Sequence, residues 1–137
     1  MVAAVCAWHE RHDAARTRID VRFTRGDGLA VSAHALTETY AVLTRLPAPH
    51  RLAPADAWGL VKANFVDSAT VVTLSSDAYC AVLRGLADAG IGGGRSYDAL
   101  IAACASQARV DTLFTFNPRH FDPPPHGVAV VDPSAPE

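Results

Sequence analysis

Lysine is almost missing from this sequence: Lys62 stands alone, and the other eleven of the twelve basic residues are arginine. No glycine-rich loop ends in Lys, which excludes a phosphate-binding P-loop. Excess positive charge is missing too. The formal net charge of −2 excludes nucleic-acid binding through bulk positive charge, though not a local site where a metal supplies the charge. Cysteine is scarce and unpaired. Cys6, Cys80 and Cys104 form an odd, widely spaced set, unlike a disulfide framework or a zinc site, both of which want close pairs. They fit buried thiols in a reducing compartment. No apolar run approaches the roughly 20 residues that cross a bilayer. The opening residues meet charge at Glu10, too early for a secretory signal, so a cytoplasmic location away from membranes is expected.

Other chemistries lack their signatures. No nucleophile-elbow sequence supports Ser/His/Asp catalysis. The glycines at 90 and 92–94 follow a helical stretch, not a strand, so they are no dinucleotide fingerprint. His9 and His12 are spaced to share a helix face, but no further close ligand completes a zinc site. His120 and His126 read as a packed or surface histidine and a loop residue.

What is present is a core. Half of the 137 residues are apolar and 19% are charged, which suits one ordinary domain able to bury its interior. The helical period runs through 3–23, with Ala4, Trp8, Ala15, Ile19 and Phe23 on one face. The arginines between 11 and 25 alternate with acids there, as on a solvated face with mixed ion pairs. Gly26-Asp27-Gly28 turns the chain. A short strand at 29–32 leads into a helix over 36–46, with Leu36, Tyr40, Leu43 and Leu46 inward. Pro54 opens the next helix, whose stripe is Trp58, Val61 and Phe65. The β-branched 70–74 is a strand, Ser75 or Ser76 caps a helix over 77–89, and Ser96 caps an apolar helix over 97–108. Strands at 112–116 and 128–131 flank a turn at 117–121. Strands separated by helices predict an α/β fold: a parallel sheet with helices on both faces, in three layers. A single domain over 1–131 is expected, with 132–137 a frayed tail.

Three polar residues stand where chemistry collects. Glu38 lies among apolar and small neighbours just after a strand; by itself it is either an exposed acid near a helix start or an acid held for a purpose. Asp98 opens a helix with no further charge before Arg109, and acids at helix starts are common for capping reasons alone. Asn117 follows a strand at the end where ligands gather in parallel sheets; it is equally an ordinary turn residue before Pro118.

Taken in register, three segments resemble the PIN-domain toxins of the VapC type. They are 31–47, containing Leu36-Thr37-Glu38-Thr39-Tyr40; 94–105, containing Arg95-Ser96-Tyr97-Asp98-Ala99; and 113–121, Leu113-Phe114-Thr115-Phe116-Asn117-Pro118-Arg119-His120-Phe121. The resemblance runs from about Val2 to Val131 and implies a metal-dependent endoribonuclease, the toxin of a toxin–antitoxin pair. It implies Glu38 and Asp98 as ligands of Mg²⁺ or Mn²⁺. Asn117 falls where many members carry Asp, and would position a water or fill the shell. Thr115 matches a small hydroxyl position near the metal, and Arg95 and Arg119 are expected on substrate phosphate. A VapB-type antitoxin, an RNA substrate and a homodimer are the implied partners. The family pattern also begins with an apolar strand ending in Asp, whereas no acid here precedes Glu10; the sequence resembles the family from the next helix onward. That departure keeps an alternative open, a catalytically weakened module that binds antitoxin or RNA without cutting. A phosphoacceptor receiver would need an Asp ending a central strand and a conjugate Lys, and neither is visible.

Overall fold

Helix α1 (Val2–Val5) is a single turn, after which the chain breaks before α2 (His12–Thr24). The periodicity predicted one continuous helix. It is interrupted because Cys6 takes an extended conformation and sinks into the core. The break is tied by His12, whose ring Nδ1 lies 2.8 Å from the Ala3 carbonyl, and by turns closing on Cys6 and His9. Trp8 and Phe23, expected inside, are 49% and 44% exposed; Trp8 stacks on His50 with ring centroids 4.1 Å apart. Helix α2 carries an ion pair that its charge alternation predicts, Arg16–Asp20 at 3.2 Å, and Arg22 reaches Asp27 of the following turn at 3.0 Å. The turn after it needs Gly26, whose φ of +84° is left-handed.

The structure, a computed structural model, describes residues 1–135. Two compact units divide the chain, Met1–Val71 and Val72–Glu137. In the first, β1 (Ala30–Ser32) runs directly into α3 (Ala33–Arg45), and α4 (Pro54–Val61) follows a proline-rich connection. The end of α4 widens into a π-helical turn, Lys62–Val66, closed by Asp67 N–H donating to the Lys62 carbonyl at 3.0 Å. Strand β2 (Thr70–Val72) pairs with β1. The core joins Cys6, Leu43, Ala57 and Val61, with Leu36, Leu46 and Leu52 packed around them. Leu43 is fully buried, so its whole side chain contributes the roughly 1.5–3 kcal/mol of a buried apolar group. The buried stripe of α4 and its π-helical turn is Ala57, Val61 and Phe65, each four residues on from the last; Trp58, expected in it, is 51% exposed. On α3, Thr39 takes the inward place predicted for Tyr40, its hydroxyl donating to the Ala35 carbonyl at 2.7 Å. That internal bond removes the cost of burying the hydroxyl.

In the second unit, Ser75 caps α5 (Ser76–Asp88), its Oγ accepting from Ala78 N–H at 3.2 Å. Helix α6 (Arg95–Ala108) starts two residues earlier than predicted. Gly94 stands at its N-cap, and Ser96, expected as the cap, donates instead to the Gly93 carbonyl at 2.7 Å. Strands β3 (Thr112–Phe114) and β4 (Ala129–Val131) pair in parallel with Leu113 opposite Val130. Cys104 and Gln107 of α6 hold the carbonyls of Val72 and Thr73. Val72, Leu100, Cys104, Ala105, Phe121 and Val128 are among the buried apolar residues of this unit. The α/β class and the parallel pairing are as predicted; among the described residues the strands pair as two two-stranded sheets. The expected tail at 132–137 begins as a turn, with Ser134 N–H donating to Asp132 Oδ1 at 2.8 Å and Pro133 buried; 136–137 lie outside the described residues. Among the described residues, no helix is long and apolar enough to cross a membrane.

Candidate active site

Glu38 belongs to the first unit and Asp98 to the second. In the first unit the position of Glu38 follows from Ser32. This residue ends β1, is buried, and caps α3 by accepting from Ala35 N–H at 3.1 Å. The cap fixes where the helix begins and therefore puts Glu38 on its second turn. Four residues back on the same face, His34 brings Nε2 to 3.6 Å from Glu38 Oε2, too long for a hydrogen bond. The Glu38 side chain is 43% exposed, so it combines an anchored backbone with an accessible carboxylate.

In the second unit Asp98 lies in the first turn of α6, its side chain 24% exposed. Its partner comes from 22 residues further on: His120 Nδ1 lies 2.9 Å from Asp98 Oδ2. An ionised carboxylate only accepts, so with Asp98 ionised the ring donates from Nδ1. His120 belongs to the 3₁₀ turn Pro118–Phe121, which is anchored by buried Phe121. Arg95, one helical turn before Asp98, donates from Nη2 to the His120 carbonyl at 3.5 Å. Asn117 is exposed at the start of the 3₁₀ turn. The Thr115 hydroxyl accepts from Asn117 N–H at 3.1 Å, and Thr115 N–H donates to the Val131 carbonyl. Arg119 is exposed on the turn.

Asp98, Asn117, Thr115, Arg95 and Arg119 thus all sit on α6, on the 3₁₀ turn or on the strand end leading into it. The two histidines were missed as companions of the acids. His34 had a visible signal, since its spacing of four from Glu38 is a helical neighbour relation. His120 had none, because nothing local in the sequence pairs a turn residue with a helix start 22 positions away.

The donor chemistry fits a hard divalent cation. Carboxylates and an amide carbonyl offer oxygen, whereas burial raises the thiols of Cys6 and Cys104 above their ordinary pKa and away from the thiolate form that soft metals bind. Among the described residues no group of three or more His, Cys, Asp and Glu is gathered to hold a metal ion. Mg²⁺ tolerates that, because it is usually held by one or two carboxylates and completes its shell with water and substrate phosphate.

The sequence matches the PIN domain family over residues 1–123. Ribonuclease VapC40 of Mycobacterium tuberculosis is 38% identical over 115 residues, covering 82% of this chain and 78% of that protein. Ribonuclease VapC27 of the same species is 40% identical over 109 residues, 80% of this chain and 66% of that protein. Among solved structures, a chain of VapBC2 from Rickettsia felis, crystallised with a DNA fragment from its promoter, superposes with a TM-score of 0.64 at 16% identity, covering 96% of this chain and 91% of that one. The chain belongs to the PIN-domain family and is of its VapC type.

Proposed function

We propose that the chain is the toxin ribonuclease of a VapBC-type pair, hydrolysing RNA phosphodiester bonds with Mg²⁺ or Mn²⁺. The observation that carries this reading is the likeness to two VapC ribonucleases across four-fifths of the chain. The half-buried carboxylate of Asp98, held by a hydrogen bond at the start of α6, supports it. Glu38 in the first unit and Asp98 in the second are the carboxylates that would each offer oxygen to a divalent cation, directly or through water. When bound, the cation supplies a more acidic water and stabilises charge on the scissile phosphate. Asn117 would position a water or fill out the ligand shell, and the Thr115 hydroxyl, which accepts from Asn117 N–H, would help orient a carboxylate. Arg119 and Arg95 bind substrate phosphate. A guanidinium suits the planar fork of phosphate oxygens, and single-stranded or looped RNA suits a site built from exposed turns.

The partner in this reading is a VapB-type antitoxin, in keeping with the VapBC2 complex that the fold resembles. We further infer that 1–131 works as one PIN-like domain, as a homodimer, in the cytoplasm. The test is cleavage of a looped RNA with Mn²⁺ by the chain and by its Asp98→Asn variant. Loss of cleavage in the variant supports the reading, and equal cutting by both refutes it.

One observation favours a second reading, a module that binds antitoxin or RNA with weakened cleavage. By the resemblance, Asn117 falls where many members of the family carry Asp, a neutral ligand in place of a charged one. The same assay separates the two, because this reading predicts RNA retention without cutting.

A further inference from the structure

Two side chains from one turn of α6 close on a single residue of the 3₁₀ turn. Asp98 Oδ2 takes the His120 ring at 2.9 Å. Arg95, three residues before it on the same helix face, takes the His120 carbonyl at 3.5 Å. His120 is therefore gripped through both its backbone and its side chain, while buried Phe121 holds the turn beneath it. The ring is half exposed, at 48%, so burial of apolar surface alone does not explain its placement. The hydrogen bond does. It engages Oδ2 and restricts rotation of the carboxylate, which keeps lone pairs free to meet a cation.

We propose that His120 is a positioning residue for Asp98, orienting its carboxylate for the divalent cation. This rests on the ribonuclease reading above for its consequence, though not for its geometry. Carboxylates that bind metals depend on outer hydrogen-bond partners, whose loss typically costs about 10–100-fold in metal affinity or activity. An alternative is that the contact merely ties the turn to the helix. In that case folding stability suffers and the site does not.

Three variants separate these roles: His120→Ala, His120→Asn and His120→Gln. An asparagine amide puts its N–H close to where Nδ1 stood, whereas a glutamine amide reaches toward the Nε2 position. The readouts are Mn²⁺ affinity by electron paramagnetic resonance, kcat and KM on a looped RNA, and Tm. The expected result is a fall of about 10–100-fold in Mn²⁺ affinity and kcat for the Ala and Gln variants, with KM nearly unchanged and Asn restoring most of both. Wild-type affinity and kcat in the Ala variant overturn the proposal. So does an Asn variant as impaired as Gln, or a loss confined to Tm. If the wild-type chain cuts no RNA yet Mn²⁺ binding weakens in Ala and recovers in Asn, the ribonuclease reading falls and the positioning role stands. If the wild-type chain binds no Mn²⁺, the positioning role is overturned.

Discussion

The first unit presents Glu38 beside His34, and the second presents Asp98 beside His120. The pairs share a composition and differ in construction. Glu38 and His34 sit four residues apart on one helix, meet at 3.6 Å, and follow wherever α3 goes. Asp98 and His120 come from a helix and a turn separated by 22 residues and meet at 2.9 Å, with Arg95 as a second tie. A pair made within one helix constrains little beyond that helix, since its two side chains are already neighbours once the helix forms. A pair made between elements forms only when the unit has folded, and it fixes a carboxylate that would otherwise rotate. The second construction is the one suited to holding an acid for chemistry.

The comparison predicts unequal consequences when it is broken at the acids. Asp98→Asn is expected to lower cleavage of looped RNA about 100-fold or more, the size of several kcal/mol of lost transition-state stabilisation. Glu38→Gln is expected to lower it less, because that carboxylate is the more exposed and the less restrained. Single-turnover rates of the two variants side by side measure the difference, and equal losses would remove the asymmetry between the two acids.

The next contrast lies at the helix starts. Ser32→Ala removes a buried cap from α3 and is expected to cost about 1 kcal/mol in denaturant unfolding. Ser96→Ala on α6, where the side chain caps nothing, is expected to stay within about 0.5 kcal/mol of the parent. The smallest effect belongs to His34→Ala. Its contact with Glu38 is long and lies on a single helix, so cleavage should change by less than about threefold. A loss from His34→Ala as large as that from His120→Ala would show that spacing within a helix holds an acid as firmly as a tertiary contact does.

Much of the frame was legible in the residues. Ser75 as a cap, the glycine turn at 26 and the strands near 30, 70, 112 and 129 each have a local cause and appear near their predicted places. The break at Cys6 was not legible. Its apolar neighbours keep a helical period, and only packing against Leu43, Ala57 and Val61 draws Cys6 out of the helix. The inward face of α3 was misjudged for a related reason. Thr39 satisfies its own hydroxyl along the helix and can be buried, which leaves the larger Tyr40 partly outside.

By itself the sequence determined the class of fold, the order of helices and strands, and the presence of one acid early on each of two helices, because short-range periodicity and capping encode these. Only the tertiary structure decided which group holds Asp98. A helix start and a turn 22 residues apart carry no mutual signal until Phe121 is buried and Arg95 closes on the turn. Hydrogen bonds between distant segments depend on where packing sets their backbones, and that is a property of the folded unit and not of either segment.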